Sequence, residues 1–472
     1  MTSTANPLAP EWLPVPDDAN ALARAVWPSG ATRRDGELVL AGVSATDLVR
    51  QYGTPLYVVD EEDARRRAAL ILDAFRREFG RIGASVSVYY AGKAFLSVGV
   101  ARWMAELGLN LDVCSDGEFA VALAAGFDPA RIGYHGNNKS NAELEAIVDA
   151  GVGGLVLDSV YELERVAAIA AERGSRQPVR LRVNSGVHAS THEYLATARE
   201  DQKFGIPLAD VPAVVAAIRA QPSLEFLGLH SHIGSQIFET GGFEEAAARL
   251  LAVQKELLEG GPVPSLNLGG GFGIAYTVAD DPAPVGALAA QMAAVVEAEC
   301  TRLGIPIPNM AIEPGRSIIG PAGVTLYEVG TIKDVRVERE GGAAVRRYVS
   351  VDGGMSDNPR PELYGAEYSA RIASRVSAEE PVLVRVAGKH CESGDIVVNA
   401  EYLPGDIRPG DLLAVPATGA YCWSLASNYN HLGRPPVVAV RDGAARLLVR
   451  GESIADLLSR DAEAQPVSEV PA

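Results

Sequence analysis

Between residues 85 and 316, short apolar runs alternate with longer stretches whose apolar positions recur at helical spacing. Eight runs read as strands: 85–91 (SVSVYYA), 110–115 (NLDVCS), 132–136 (IGYHG), 154–159 (GLVLDS), 179–184 (VRLRVN), 226–233 (FLGLHSHI), 265–269 (SLNLG) and 309–313 (NMAIE). The intervals 116–126, 141–150, 159–173, 208–220, 242–259 and 284–303 are rich in Ala, Leu and Glu and read as helices. Strand–helix alternation of this kind means a parallel sheet. Eight units in about 230 residues fit a closed (β/α)8 TIM barrel. An open doubly wound sheet is the structural alternative.

After about residue 320 the texture changes. The segments 323–337, 346–352, 381–387, 411–415, 436–441 and 445–450 are rich in Val, Leu, Arg and Tyr, with Gly, Pro and Asp between them. They predict an all-β domain. The expected organisation is an N-terminal segment (1–56), the barrel (57–320), the β-domain (321–455) and a flexible tail (456–472). Residues 37–43 (ELVLAGV) read as a short strand that joins the β-domain or pairs with the barrel. The first 30 or so residues are expected to be poorly ordered.

At 472 residues, 47% of them hydrophobic, the chain can fill two cores. Lys and Arg number 42 against 60 Asp and Glu, a net charge of −18, which argues against binding to nucleic acid or an anionic membrane. The start lacks a charged n-region followed by an apolar run, and no run has membrane-spanning length. Cys114, Cys300, Cys391 and Cys422 are scattered without framework spacing. The expectation is a cytoplasmic protein with reduced thiols.

In a barrel, chemistry gathers at the carboxyl ends of strands. Here those ends carry Lys93, Asp112 and Ser115, His135, Arg182 and Asn184, His230, His232 and Ser235, Gly269-Gly270-Gly271, and Glu313-Pro314-Gly315-Arg316. A strand-end lysine is either a solvated cap or an amine that forms Schiff bases. Three glycines after a strand form a tight turn or leave bare N–H groups to wrap an anion. Gly315 and Arg316 supply a second anion-friendly turn. His230 and His232 point the same way, but no further ligand motif completes a metal set, and no metal is expected. Lysine, phosphate cup, histidine and a last-strand acid suit pyridoxal 5'-phosphate. Glu313 would pair with the pyridine nitrogen and keep the ring a strong electron sink, which loss of CO2 requires.

From about Gly53 to about Pro436 the chain carries YYAGKA, LDVCSDGE, KFGI, HSHIGSQ, LNLGGGFG, EPGRSI, DGGMSDNPRPELYGA, CESGD and ATGAYCWSLASNYN, in that order. This set resembles the diaminopimelate decarboxylases, fold-type III pyridoxal-phosphate enzymes with an alanine-racemase-like barrel and a β-domain. The resemblance implies that Lys93 is the Schiff-base lysine, that Asp112 lies near the cofactor and that His232 stacks on its ring. It implies that Ser235, Gly269, Gly270, Gly271, Gly315 and Arg316 bind phosphate, and that Tyr421 reaches the cofactor from the β-domain. Arg316, Arg360 and Tyr364 would bind the substrate's carboxylates, with Tyr421 also near the substrate. Read without the resemblance, Arg360 sits in a surface turn as a solvated side chain. Cys391 and Glu392 resemble the pair that this family supplies from the partner subunit of a homodimer: Cys391 as proton donor, Glu392 as holder of the distal ammonium. Read alone, Cys391 is a buried structural thiol. The implied reaction is meso-2,6-diaminopimelate to L-lysine and CO2, the last step of lysine biosynthesis. The alternative is decarboxylation of ornithine, arginine or lysine, against which Arg360 argues, because only a second carboxylate needs that cation.

Overall fold

A computed structural model of the chain describes residues 6–187, 203–238, 241–339 and 342–464. The chain divides into two compact units. One draws on residues 65–274 and 282–318, the other on residues up to 64, 275–281 and from 319 onward.

The first unit is the barrel. Its strands are, in order, Val86–Ala91, Asn110–Val113, Ile132–Tyr134, Gly154–Leu157, Gln177–Asn184, Leu224–His230, Ser265–Asn267 and Asn309–Ile312. Each pairs in parallel with the next, and the eighth pairs with the first through Met310↔Val86, Ala311↔Ser87 and Ile312↔Val88. That last pairing closes the ring and excludes the open-sheet alternative. A two-residue strand, Ile206–Pro207, adds to the fifth. All eight strands lie where the apolar runs place them, because fully covered parallel strands read as near-continuous apolar segments.

Local capping explains several turns of this unit. Ser115, Ser140 and Ser159 each cap a helix by accepting the N–H of a glutamate three residues on, Glu118, Glu143 and Glu162. Ser140 and Glu143 complete a reciprocal capping box. Glu118 and Glu162 instead reach the N–H groups of Cys114 and Asp158. Part of the LDVCSDGE motif is therefore helix-start chemistry. Helices Glu61–Arg81 and Val98–Glu106 escaped the sequence reading. The first opens on a charged run, EEDARRR, whose apolar face emerges only later.

In the other unit the main sheet runs, in spatial order, Ile396–Pro404, Pro381–Ala387, Gly342–Val351, Gly323–Arg339, Leu56–Asp60, Val437–Arg441 and Ala444–Val449. All of Leu56–Asp60 but its first residue falls inside the span expected for the barrel, yet the strand pairs antiparallel with Gly323–Arg339 and parallel with Val437–Arg441. Its five residues are all buried, as a central strand requires. Ile396–Pro404 was not anticipated either: its sequence, IVVNAEYLP, breaks alternation with Asn399 and Glu401. Glu401 is buried against Arg371 at 2.9 Å.

The N-terminal expectation needs correction. Leu13, Val26 and Trp27 are buried. Leu13 packs with Leu383, Ala400 and Tyr402, and Val26 and Trp27 enter the main core of this unit. Burial of large apolar side chains outweighs a Pro-rich, polar surround. The strand expected at 37–43 becomes Glu37–Leu40 and Val43–Ser44, which with Ala31–Arg34 make a separate three-stranded sheet. Across the expected boundary between β-domain and tail, Ile454–Leu458 is a helical turn with its own capping box, while residues 465–472 lie outside the described ones.

Candidate active site

The barrel's carboxyl-end residues converge on Glu313. This carboxylate follows the eighth strand and is buried. Its Oε1 accepts the Asn267 side-chain N–H at 2.7 Å. His230 Nε2, at the end of the sixth strand, lies 3.0 Å from the same oxygen. His135 Nε2, just past the third strand, lies 3.5 Å from it and 3.2 Å from Asp112 Oδ1. The rings of His135 and His230 meet edge to face at 5.0 Å.

Electrostatics divide these groups. Burial pushes His135 and His230 down to about 4, so both imidazoles are neutral at pH 7. Burial, then the Lys93 ammonium, holds His232 well below its usual range. Burial by itself would raise Glu313, but the charge that His230 and His135 carry once protonated outweighs it, and the carboxyl is held well below the usual range. Asp112 moves the other way: burial first, then the charge of Glu313, raises it well above the usual range. The acid pair therefore keeps its negative charge on Glu313. The set His135, His230 and Glu313 also brings metal-competent atoms within 4.8 Å of one another. The Asn267 N–H already directed at Oε1 marks that oxygen as a hydrogen-bond acceptor.

The glycine loop follows the seventh strand, and each of its glycines is required by close approach. A Cβ on Gly269 would lie 2.7 Å from Ser231 O, on Gly270 2.1 Å from Glu313 O, and on Gly271 2.5 Å from Gly234 O. Gly269 donates its N–H to Asn267 Oδ1 at 2.8 Å. Gly270 donates to His232 Nδ1 at 3.2 Å, which leaves the proton of a neutral His232 on Nε2. Asn267, missed from the sequence, thus ties the loop to Glu313; its only signal was its place two residues before the glycines. Arg316 Nη2 donates to Ser235 Oγ at 2.9 Å, joining the loops after the eighth and sixth strands. Gly315 packs against the first strand's end, where a Cβ would lie 2.9 Å from Ala91 O. Lys93 stands exposed on the turn Gly92–Ala94 after that strand. The barrel thereby gathers an amine, a neutral imidazole, an ionised carboxylate and a glycine loop flanked by Ser235 and Arg316.

Arg182 and KFGI form a neighbouring structure. The Arg182 guanidinium stacks 4.1 Å from the Phe204 ring centroid, and Gly205 N–H donates to Asp158 at 3.1 Å.

The remaining candidates belong to the β-rich unit. Arg360 opens the helical turn Arg360–Tyr364 and is 6% exposed, so the solvated surface-turn reading is wrong for it; Tyr364, at 64%, is exposed. Arg360 Nη1 donates to Tyr368 OH at 2.5 Å. Cys391 and Glu392 are exposed, which removes the buried-thiol reading. Their loop is anchored by Asp395, whose Oδ2 accepts from His390 N at 2.8 Å and lies 2.9 Å from His390 Nδ1, while Oδ1 accepts from Met355 N at 2.6 Å. Tyr421 is held at a left-handed φ of 64°. No helix among the described residues is long and apolar enough to cross a membrane.

Comparison with known proteins places this arrangement. Residues 68–320 match the family described as "Pyridoxal-dependent decarboxylase, pyridoxal binding domain". The diaminopimelate decarboxylase of Mycobacterium tuberculosis is 53% identical over 447 residues, covering 93% of this chain and 98% of that one. That of Bacillus subtilis is 42% identical over 438 residues, covering 92% and 97%. The crystal structure of diaminopimelate decarboxylase from M. jannaschii in co-complex with L-lysine superposes with a TM-score of 0.85 at 30% identity, covering 92% of this chain and 98% of that one. With its closed barrel, its convergent strand ends and these relatives along nearly its whole length, the chain belongs to the diaminopimelate decarboxylase family of pyridoxal-phosphate-dependent decarboxylases.

Proposed function

We propose that the chain removes CO2 from meso-2,6-diaminopimelate to give L-lysine, using pyridoxal 5'-phosphate held at the carboxyl end of the barrel. The observation that carries the reading is the ionised Glu313, which accepts from Asn267 and lies 3.0 Å from His230 Nε2 beside a glycine loop. The residues fit the cofactor. Gly269, Gly270 and Gly271 leave no room for a Cβ, so their backbone can come close to a phosphate, with the Ser235 hydroxyl and the backbone of Gly315 and Arg316 beside them. Lys93 offers the amine for the aldehyde, neutral His232 a face for the ring, and Glu313 a negative charge for the ring nitrogen. Asp112 lies beside this set. Bound there, pyridoxal phosphate supplies the electron sink for the bond to the leaving carboxylate.

The other groups act on the substrate. The Arg316 guanidinium holds one carboxylate, and Arg360 presents a fork to the distal carboxylate, with Tyr364 and Tyr421 beside it. Glu392 pairs with the distal ammonium. Cys391, exposed on a loop pinned by Asp395, returns a proton to the α-carbon. In this reading Cys391 and Glu392 act across a two-fold axis, so that a homodimer builds each site from two copies. The location is cytoplasmic, where the thiol stays reduced.

The test is CO2 release from the diaminopimelate isomers, lysine, ornithine and arginine. Turnover of the meso isomer should far exceed the rest. Faster release from ornithine or lysine would sink the substrate assignment.

A further inference from the structure

Arg360 sits in a closed ring of contacts, two of whose members, Tyr276 and Tyr368, lie outside the family motifs. Its Nη1 donates to Tyr368 OH at 2.5 Å. Its guanidinium carbon lies 4.7 Å from the centroid of the Tyr276 ring and 5.7 Å from that of Tyr368. The two tyrosine rings meet edge to face at 5.1 Å. Tyr368 is fully buried, and its OH lies 3.6 Å from Cys422 Sγ. Cys422 Sγ in turn lies 3.5 Å from Asn358 Oδ1, two residues before Arg360, which closes the ring.

Physical chemistry gives this ring a purpose. Arginine carries a long side chain whose rotamer freedom must be lost before it can grip a carboxylate in two-point fashion. Here one end of the fork is taken by Tyr368 and one face by Tyr276. The remaining donors, Nε–H, the second Nη1 N–H and the two Nη2 N–H groups, make no hydrogen bond to any described residue. Two donors on one edge of a fixed plane are what a carboxylate requires. A flexible Arg in the same place would bind a dicarboxylate more weakly and discriminate less.

We infer that Tyr368 and Tyr276 are positioning residues that set the preference for a dicarboxylic substrate by fixing the guanidinium of Arg360. The inference rests on the reading of Arg360 as the group that binds the distal carboxylate. It makes a prediction that a merely structural role does not. L-Lysine, formed by loss of the carboxylate on the reacting carbon, keeps the distal one, whereas cadaverine (1,5-diaminopentane) lacks it, so weakening the ring should affect diaminopimelate and spare cadaverine.

The experiment uses the holoenzyme and three variants, Tyr368→Phe, Tyr276→Leu and Arg360→Gln. KM and kcat are measured for meso-diaminopimelate, and the dissociation constant of cadaverine is read from the change in cofactor absorbance. Tyr368→Phe keeps the ring and removes only the hydroxyl. It should raise KM for diaminopimelate about tenfold, the effect of losing one hydrogen bond to a charged group, and leave the cadaverine constant within about twofold. Tyr276→Leu should do the same through loss of the aromatic face. If Arg360→Gln is selective for diaminopimelate but neither tyrosine variant is, the positioning role is wrong and the reading of Arg360 stands. If Arg360→Gln shifts both ligands equally, or neither, that reading falls and the inference with it. Because Tyr368→Phe leaves packing nearly unchanged, a folding failure in Tyr276→Leu does not remove the test.

Discussion

His230 Nε2 lies 3.0 Å from Glu313 Oε1, so the sixth and eighth strands of the barrel meet across its interior at one carboxylate oxygen. The relationship couples a buried base to a buried acid, and its consequences can be measured.

The first consequence is a pH dependence. His230 is lowered to about 4 by burial, below the ordinary 6.5 of an imidazole. Between those values the unfolded chain binds a proton that the folded one does not, so this group contributes full stability above pH 6.5 and loses it as pH falls toward 4. The loss is on the order of 3 kcal/mol at pH 4. Asp112, whose carboxyl is raised, works in the opposite direction, so the wild-type curve alone does not isolate the histidine. His230→Asn should flatten the acid limb of stability measured by denaturant titration from pH 7 to 4. An unchanged slope relative to wild type would refute the assignment.

Gly270 supplies the second. A methyl group there would sit 2.1 Å from the Glu313 carbonyl oxygen, a contact that only backbone movement can relieve. Gly270→Ala should therefore weaken pyridoxal phosphate binding by more than about tenfold while secondary structure persists. Titration of cofactor into the apoprotein, followed by absorbance, reads it. Wild-type affinity would show that the loop does not hold the phosphate.

Lys93 is exposed at the first strand's end, where an aldehyde can reach it. Borohydride treatment of the yellow holoenzyme should fix the cofactor to Lys93, as read by peptide mass mapping. Lys93→Ala should abolish turnover. An adduct on Lys139 or another lysine would overturn the role; Lys139 is already occupied by Gly136 O, Val156 O and Glu162 within 2.8 Å.

Assembly can be tested by complementation. Lys93→Ala and Cys391→Ala proteins should each be inactive. Equal mixing with free subunit exchange makes about half of the dimers hybrid, each with one intact site, and activity should return to about a quarter of wild type. Demonstrated exchange with no recovery would mean that Cys391 serves its own chain.

Much of this protein was determined by the sequence alone. The eight barrel strands are legible because each is a short apolar run bounded by polar turn residues, and parallel strands covered on both faces tolerate little else. Lys93, His232, the three glycines and Glu313 could be named because strand ends in a barrel carry its chemistry. Other features were decided only in three dimensions. His135, His230 and Asn267 come from the third, sixth and seventh strands, and no local pattern shows that closing the ring aims all three at Glu313. The segment Asp-Asn-Pro-Arg reads as a surface turn, yet Arg360 is buried because Tyr276 and Tyr368, distant and near in sequence, enclose it. Leu56–Asp60 precedes the barrel in sequence but pairs with strands more than 250 residues later. The physical reason is common to all three. Periodicity and turn chemistry are local and survive in one dimension, whereas the pairing of a buried charge, or of a central strand, depends on partners that only tertiary packing brings within reach.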